Sequence, residues 1–167
     1  MIAVIYGSST LNTEFAAQRI TQAFGTDVAD LHNVREVDPE ILANRRAQVL
    51  VTSTWGAGDL QDDWEAFLPT FEEIDYSNKV VGLVGLGDQD NYPEAFCDSI
   101  FHLYERVLRQ GARVVGATST EGYTFSQSKA VRGTQFIGLV LDEDNQADLS
   151  DGRIRGWVQQ VRAQLQG

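Results

Sequence analysis

The chain has 167 residues, of which 43% are hydrophobic and 22% are charged, a composition that suits one globular domain and argues against a disordered chain. A net charge of −11 argues against binding nucleic acid or an anionic membrane through surface charge, and no apolar run is long enough to span a membrane. The single cysteine, Cys97, excludes an internal disulfide framework and a multi-cysteine metal site. The apolar amino-terminal run lacks the basic lead-in of a signal peptide, so we expect a cytoplasmic protein.

Apolar runs alternate with helical patterns along the chain. Most of the runs are rich in Val, Ile and Leu without alternation, which is typical of strands covered on both faces. We expect Asp62 to cap one helix and Pro93 to stand in the first turn of another. In chain order, the predicted elements are strand Ile2–Tyr6, helix Thr13–Phe24, a weaker strand Asp27–Leu31, strand Val49–Ser53, helix Asp62–Phe71, strand Val80–Gly85, helix Pro93–Arg109, strand Arg113–Ala117 and helix Asp151–Leu165.

This alternation predicts the α/β class: a single doubly wound domain over residues 1–167, with a five-stranded parallel sheet and helices on both faces. The polar segment Ser119–Gln135 breaks the rhythm and leads into another apolar run, Phe136–Leu141. A long polar segment inside a compact domain is either functional or a surface insertion. We expect it to split the last strand or to extend it as a small edge hairpin.

In such sheets a ligand lies beyond the carboxyl ends of the strands, so the residues that follow each strand are the candidate site. The first strand leads into the loop Gly7–Thr13, which is rich in hydroxyl groups and contains no Lys or Arg. Backbone N–H groups at a helix start bind anions, and hydroxyls without a P-loop lysine favour a monophosphate over a magnesium-bound triphosphate. The alternative is a simple helix cap around Asn12 or Thr13.

Two further strand ends each carry an aromatic residue in a glycine-containing loop. Trp55 follows the third strand of the chain and Tyr92 follows the fourth. Trp55 could instead fold back onto the core, and Tyr92 could be a surface residue at a helix start. Asp90 stands where a dinucleotide-binding glycine motif would need glycine, so that motif is not supported. A phosphate loop beside two aromatic residues together predicts a phosphorylated planar ligand.

With these features, the chain resembles the bacterial long-chain flavodoxins over essentially its whole length. Among them it is most similar to the second, B-type flavodoxin of some bacteria. The segment Ser119–Gln135 matches the insertion that separates long-chain from short-chain members. The stretches that carry the resemblance are Gly7–Thr13, Thr54–Trp55 through Asp62–Glu65, Gly85–Tyr92, Thr120–Tyr123, Gly138–Gln146 and Asp148–Trp157.

The resemblance implies one non-covalent FMN and a soluble low-potential carrier, not an enzyme, that moves one electron at a time between a reductase and acceptor enzymes. The implied phosphate site is Ser8, Ser9, Thr10, Asn12 and Thr13, with Leu11 in the same loop. Trp55 and Tyr92 would flank the isoalloxazine ring, and the loop of Trp55 also holds Thr54 and Gly58. The ring edge would meet the backbone of Gly56, Ala57, Gly87 and Gln89, with Asp88 near the pyrimidine end and Asp144 near the ribityl chain.

One residue departs from the family pattern. Most members have glycine where this chain has Leu11. If the position needs positive φ, leucine strains the turn; if it does not, leucine only narrows the approach to the phosphate.

Acidic residues are concentrated in the middle of the chain. Between Val49 and Glu105 there are twelve, and Lys79 is the only base there. We therefore expect an acidic rim that docks an NADPH-dependent flavodoxin or ferredoxin reductase and acceptor redox enzymes, and we expect a monomer that binds neither nucleic acid nor membrane.

A flavodoxin-like NAD(P)H:quinone reductase is the alternative function, although no residue set argues for a nicotinamide site. A phospho-receiver module is set aside because its acids and lysine are missing at the strand ends.

Overall fold

A parallel sheet between two layers of helices forms the centre of the computed structural model, which describes residues 1–167. The elements are β1 Ile2–Tyr6, α1 Leu11–Phe24, β2 Ala29–Asn33, α2 Pro39–Asn44, β3 Ala47–Trp55, β4 Asp59–Leu60, α3 Asp62–Phe71, β5 Val80–Leu86, α4 Ser99–Arg109, β6 Arg113–Val115, β7 Thr118–Ser119, β8 Val131–Arg132, β9 Gln135–Phe136, β10 Leu139–Leu141 and α5 Ala147–Gln166.

The strand order confirms the predicted doubly wound fold. The main sheet runs β2-β1-β3-β5, and both β6 and β10 pair with β5 in parallel. β6 pairs with Val80–Gly82 and β10 pairs with Val84–Leu86, so two short segments share one strand position. The chain order reverses on the two sides of β1, which makes the carboxyl ends of β1 and β3 the switch point where a ligand is expected.

The insertion interrupts the last strand, as predicted, and carries a small sheet of its own. β7, β9 and β8 form a three-stranded antiparallel sheet. Its aromatic residues pack around Phe96, whose ring centroid lies 5.8 Å from that of Tyr123, 5.4 Å from Phe125 and 6.1 Å from Phe136. The insertion is therefore anchored by aromatic packing against the segment that precedes α4.

Each face of the sheet covers its own hydrophobic core. One core lies under α1 and α5, where Trp157 is buried and its Nε1–H donates to the carbonyl of Gly116 at 2.9 Å. The other lies under α3 and α4 and includes the buried rings of Trp64 and Phe71. No helix is both long and apolar enough to cross a membrane.

Several helix boundaries differ from the prediction. α4 begins at Ser99 and not at Pro93, because the carbonyl of Pro93 accepts hydrogen bonds from the N–H groups of Ser126 and Gln127 in the insertion, at 2.7 and 2.9 Å. Cys97 also has a φ of 54°, which a helix does not allow. The predicted place of Pro93 in a first helical turn was therefore wrong.

The caps also differ. The residue that caps α3 is Gln61 and not Asp62: the Gln61 carboxamide oxygen accepts from the N–H groups of Asp63 and Trp64, at 3.1 and 3.2 Å. α5 begins at Ala147, earlier than predicted. The short helix α2 was not predicted, although Asp38 caps it through the N–H of Glu40 at 3.0 Å.

Candidate functional site

A cleft with a volume of 280 Å³ lies at the carboxyl ends of β1, β3 and β5. It is open to solvent, and ten of its thirteen lining residues are polar, charged or glycine. Its lining residues are Thr10, Asn12, Thr13, Ser53, Thr54, Trp55, Gly56, Leu86, Gly87, Asp88, Tyr92, Glu143 and Asp144.

Most of the predicted site residues meet in this cleft, and some do not line it. Those outside the lining are Ser8, Ser9, Leu11, Ala57, Gly58 and Gln89. Three lining residues were not predicted: Ser53, two residues before the end of β3; Leu86, the last residue of β5; and Glu143, which follows β10. Ser53 and Leu86 could have been predicted, because residues near the carboxyl end of a strand lie at the same edge of the sheet as the loop that follows. Glu143 could be found only by knowing that β10 pairs with β5.

The loop before α1 supplies the polar end of the cleft. Thr10 is the N-cap residue of α1, yet its side chain makes no capping hydrogen bond. Asn12 and Thr13 lie within the helix, so the simple-cap alternative is not what the structure has. The first N–H groups of a 14-residue helix thus lack a side-chain partner and lie beside hydroxyl groups. This arrangement suits an anion.

The two serines of this loop bond within the protein. The Ser8 hydroxyl donates to the carbonyl of Thr10. The Ser9 hydroxyl accepts from Nε2 of Gln61 at 3.0 Å, so the residue that caps α3 also holds the loop before α1. Gln61 is buried, and no sequence pattern predicted a role for it in the site.

Two aromatic side chains, Trp55 and Tyr92, line the cleft. Trp55 is 41% exposed and Tyr92 is 49% exposed, whereas Trp64 is fully buried. Nε1–H of Trp55 donates to Oγ of Ser53 at 2.9 Å, which holds the indole at the edge of the cleft. The alternative in which Trp55 folds onto the core is therefore wrong. Two exposed aromatic rings at one cleft suit a flat ring system.

The residues after β3 form a tight turn between β3 and β4. Trp55 pairs with Asp59, and the N–H of Gly58 donates to the carbonyl of Trp55 at 3.2 Å. Gly56 has a φ of 52° and Gly58 a φ of 109°, conformations that favour glycine. Gly56 lines the cleft and Gly58 is buried behind it. The turn thus connects the cleft to the protein interior.

Three acidic residues, Asp88, Glu143 and Asp144, also line the cleft. Burial raises the pKa of Asp88, but hydrogen bonds from the backbone and side chain of Asn91 and from Asn145 outweigh burial and hold that pKa below its usual range. Burial, then the neighbouring Asp88 and Asp142, raise the pKa of Asp144. Negative charge is already concentrated beside the place where a ligand would lie.

Asp88, Asp142 and Asp144 bring carboxylate oxygens within 4.8 Å of one another. Asp142 is fully buried, and its Oδ2 accepts from the backbone N–H of Gln89 at 3.1 Å and from the Gln89 side chain at 2.7 Å. Nδ2 of Asn145 also donates to both of its oxygens, at 3.1 and 3.0 Å. Because Nδ2 of Asn145 also donates to Oδ1 of Asp88 at 2.9 Å, hydrogen bonds join Asp88, Asp142, Gln89 and Asn145 into a network, and we assign no metal to it.

The same network includes Gln89, whose backbone the sequence places at the edge of the ring. Its N–H is bonded to Asp142, and its Oε1 accepts from the N–H of Thr124 at 2.6 Å. Gln89 therefore connects the loop after β5 to the insertion, and its N–H is not free to meet a ring edge. Leu11 has no positive φ and is 61% exposed at the start of α1, so leucine does not strain this turn.

Comparison with known proteins finds flavodoxins both by sequence and by structure. The flavodoxin family model matches residues 4–157. The chain is 48% identical to a flavodoxin of Helicobacter pylori over 161 residues, which cover 96% of each chain. It is 40% identical to flavodoxin 2 of Escherichia coli K12, with 96% of this chain and 94% of that protein covered. A crystal structure of Fusobacterium nucleatum flavodoxin bound to flavin mononucleotide superposes with a TM-score of 0.93 at 36% identity and covers 98% of each chain.

Proposed function

This chain belongs to the flavodoxin family, and on that premise we propose that its cleft binds one non-covalent FMN. Flavodoxins are electron carriers and not enzymes, and the chain works as a low-potential carrier between redox partners. FMN, when bound, supplies a ring that accepts and releases electrons singly. The observation that carries the proposal is the meeting of an uncapped, hydroxyl-rich helix start and two exposed aromatic walls in one cleft.

The polar end of the cleft is the phosphate site of this proposal. The hydroxyls of Thr10 and Thr13, the side chain of Asn12 and the first N–H groups of α1 hold the phosphate. Ser8 and Ser9 shape the loop from outside the cleft, and Gln61 supports Ser9. No lysine or arginine stands in the loop, so dipoles and neutral donors carry the binding.

The aromatic end holds the ring. Trp55 and Tyr92 flank it, and the backbone of Gly56 and Gly87 approaches its edge. A Cβ added at Gly87 would lie 2.8 Å from Sγ of Cys97 and 3.1 Å from the Cys97 N atom. Only glycine therefore allows the backbone at this position to pack so closely against Cys97. We further propose that Thr54, Ala57 and Gly58 contact the ring from the loop of Trp55, that Asp88 lies near its pyrimidine end and that Asp144 lies near the ribityl chain.

The low potential follows from charge. The carboxylates of Asp88, Asp144 and Glu143 line the cleft. Like charges in a partly desolvated site would oppose negative charge added to a bound ring, so these residues would lower the potential of the bound group.

The partner surface follows from the same charge. Exposed acids stand in the segments that follow the strands at the cleft, among them Asp59, Asp90 and Asp144, and we propose that they form an acidic rim that docks a basic, NADPH-dependent flavodoxin or ferredoxin reductase and the acceptor enzymes. We further propose that residues 1–167 form one FMN-binding domain of the long-chain type, with the insertion at about residues 119–135, and that the protein is a cytoplasmic monomer.

The experiment that tests the function is the binding of FMN and riboflavin by the purified protein. We expect the flavin absorption spectrum with one FMN per chain, and riboflavin, which lacks the phosphate, to bind at least tenfold more weakly. Equal affinities for the two ligands would contradict the phosphate site. NADPH added alone should leave the flavin oxidised; rapid bleaching would favour the quinone reductase alternative.

A further inference from the structure

The turn Trp55–Asp59 rests on one face of α4. Thr54, just before the turn, bonds to Ser99: its Oγ1 accepts from the Ser99 N–H at 3.1 Å and donates to Ser99 Oγ at 2.8 Å. At the far end of the turn, Nε2 of His102 lies 3.1 Å from the carbonyl oxygen of Gly58. Residues 99 and 102 are one helical turn apart, so one face of α4 holds both ends of the turn.

The chemistry of the two groups decides which of them donates in the hydrogen bond between His102 and Gly58. A carbonyl oxygen can only accept, so Nε2 of His102 carries the proton and donates to Gly58. The contact therefore needs a donor at that place on α4, and a side chain of the same bulk without a donor would fill the space and leave the carbonyl unpaired.

The buried corner of the turn packs closely against Asp98, the residue that precedes α4. A Cβ added at Gly58 would lie 2.8 Å from Oδ2 of Asp98 and 3.1 Å from its Cβ. Gly58 is buried, while Gly56 and Trp55 at the other corner of the turn are exposed in the cleft. The position of the cleft wall thus depends on how firmly the buried corner is held.

We propose that His102 is a positioning residue for the flavin site: by donating to the Gly58 carbonyl it fixes the turn that places Trp55 and Gly56 in the cleft. The inference rests on the proposed function, since it concerns the affinity of that cleft for FMN. His102 touches no lining residue through this bond, and its effect is transmitted by the turn.

The test compares three variants in the FMN-loaded, full-length protein. His102→Leu keeps a side chain of similar bulk and removes the donor. His102→Gln restores an N–H donor at the position of Nε2. Arg109→Gln, on an exposed residue of the same helix, is the matched control for changes of α4 that do not reach the turn.

FMN release on dilution, followed by flavin fluorescence, and hydrogen exchange of the amides of residues 56–59 are measured for each. With His102→Leu we expect the FMN dissociation constant to rise about two- to tenfold, the range for loss of one hydrogen bond, and the turn amides to exchange faster. His102→Gln and Arg109→Gln should stay within about twofold of the unmodified protein on both measurements.

Three outcomes would overturn the inference: His102→Leu with unchanged affinity and exchange, His102→Gln as weak as His102→Leu, or Arg109→Gln with the same loss. If His102→Leu does not fold, His102→Phe, which keeps an aromatic ring without a donor, takes its place. If the unmodified protein binds no FMN, the proposed function fails. The exchange rates of the turn amides still decide whether His102 holds the turn.

Discussion

Charge reversal beside the cleft should slow association with a basic reductase. Asp90 and Glu94 are exposed on the two sides of Tyr92 in the chain, and neither side chain has a hydrogen-bond or ion-pair partner. The perturbation is the double variant Asp90→Lys with Glu94→Lys. The matched control is Asp27→Lys with Glu73→Lys, which changes the net charge equally. These residues are exposed at the amino-terminal edge of the sheet, opposite the cleft.

The expected size follows from Coulomb's law. At a separation of about 10 Å in water, two unit charges interact by about 0.4 kcal/mol, so replacing an acid by a base changes the interaction with one positive charge by about 0.8 kcal/mol. A Debye length of about 10 Å at 0.1 M salt reduces this to about 0.3 kcal/mol at each position. For two positions the sum corresponds to about a threefold slower association at 0.1 M salt.

The assay is stopped-flow reduction of the bound flavin by the reductase, at reductase concentrations where the rate is second order. The threefold difference should shrink to nothing measurable at 1 M salt, where the Debye length is about 3 Å. Equal slowing by the two double variants, or a difference that persists at 1 M salt, would refute the placement of the docking surface beside Tyr92.

Three further substitutions test the structure around the site. Leu11→Gly should leave FMN affinity within about twofold and lower stability by less than about 1 kcal/mol, because the residue is exposed and already helical; a large loss of affinity in an FMN titration would show a direct contact. Gln61→Ala should destabilise the protein by about 1–2 kcal/mol in urea unfolding, because it removes the cap of α3 and the bond to Ser9; an unchanged midpoint would contradict that role. Burial raises the pKa of Asp98, so the contribution of this residue to stability falls as pH rises through that pKa. Asp98→Asn keeps the acceptor for the Lys129 N–H without ionising, so urea unfolding from pH 3 to pH 8 should find it more stable at neutral pH, with the advantage vanishing in acid.

The sequence predicts elements well where local pattern and tertiary structure agree. The run Ile2–Tyr6 is apolar throughout and is a fully buried strand with the predicted bounds. Pro93 is a favourable first residue of a helix, yet its carbonyl bonds to the insertion and the helix starts later. Gln61 and Asp62 are both capable caps, and only the buried position of Gln61 decides between them. Local pattern cannot predict a boundary that a distant segment sets.

The site divides in the same way. Trp55 and Tyr92 could be predicted because Trp55 ends one strand and Tyr92 lies in the loop after another, and the topology brings all such strand ends to one edge. Glu143 enters the cleft through β10, whose pairing with β5 depends on where the insertion returns the chain. The contact of His102 with Gly58 joins residues far apart in sequence, and nothing in the helical pattern of α4 marks it.

The division of the last strand position between β6 and β10 has a consequence for self-association. A long, regular edge strand presents unpaired backbone groups on which a second molecule can add a strand. Here that edge consists of two three-residue segments, interrupted by a separate antiparallel sheet. The opposite edge, β2, carries Asp30, which forms a salt bridge to Arg45 at 2.7 Å. Neither edge offers an uninterrupted apolar template, so the protein should resist strand-to-strand aggregation even at high concentration.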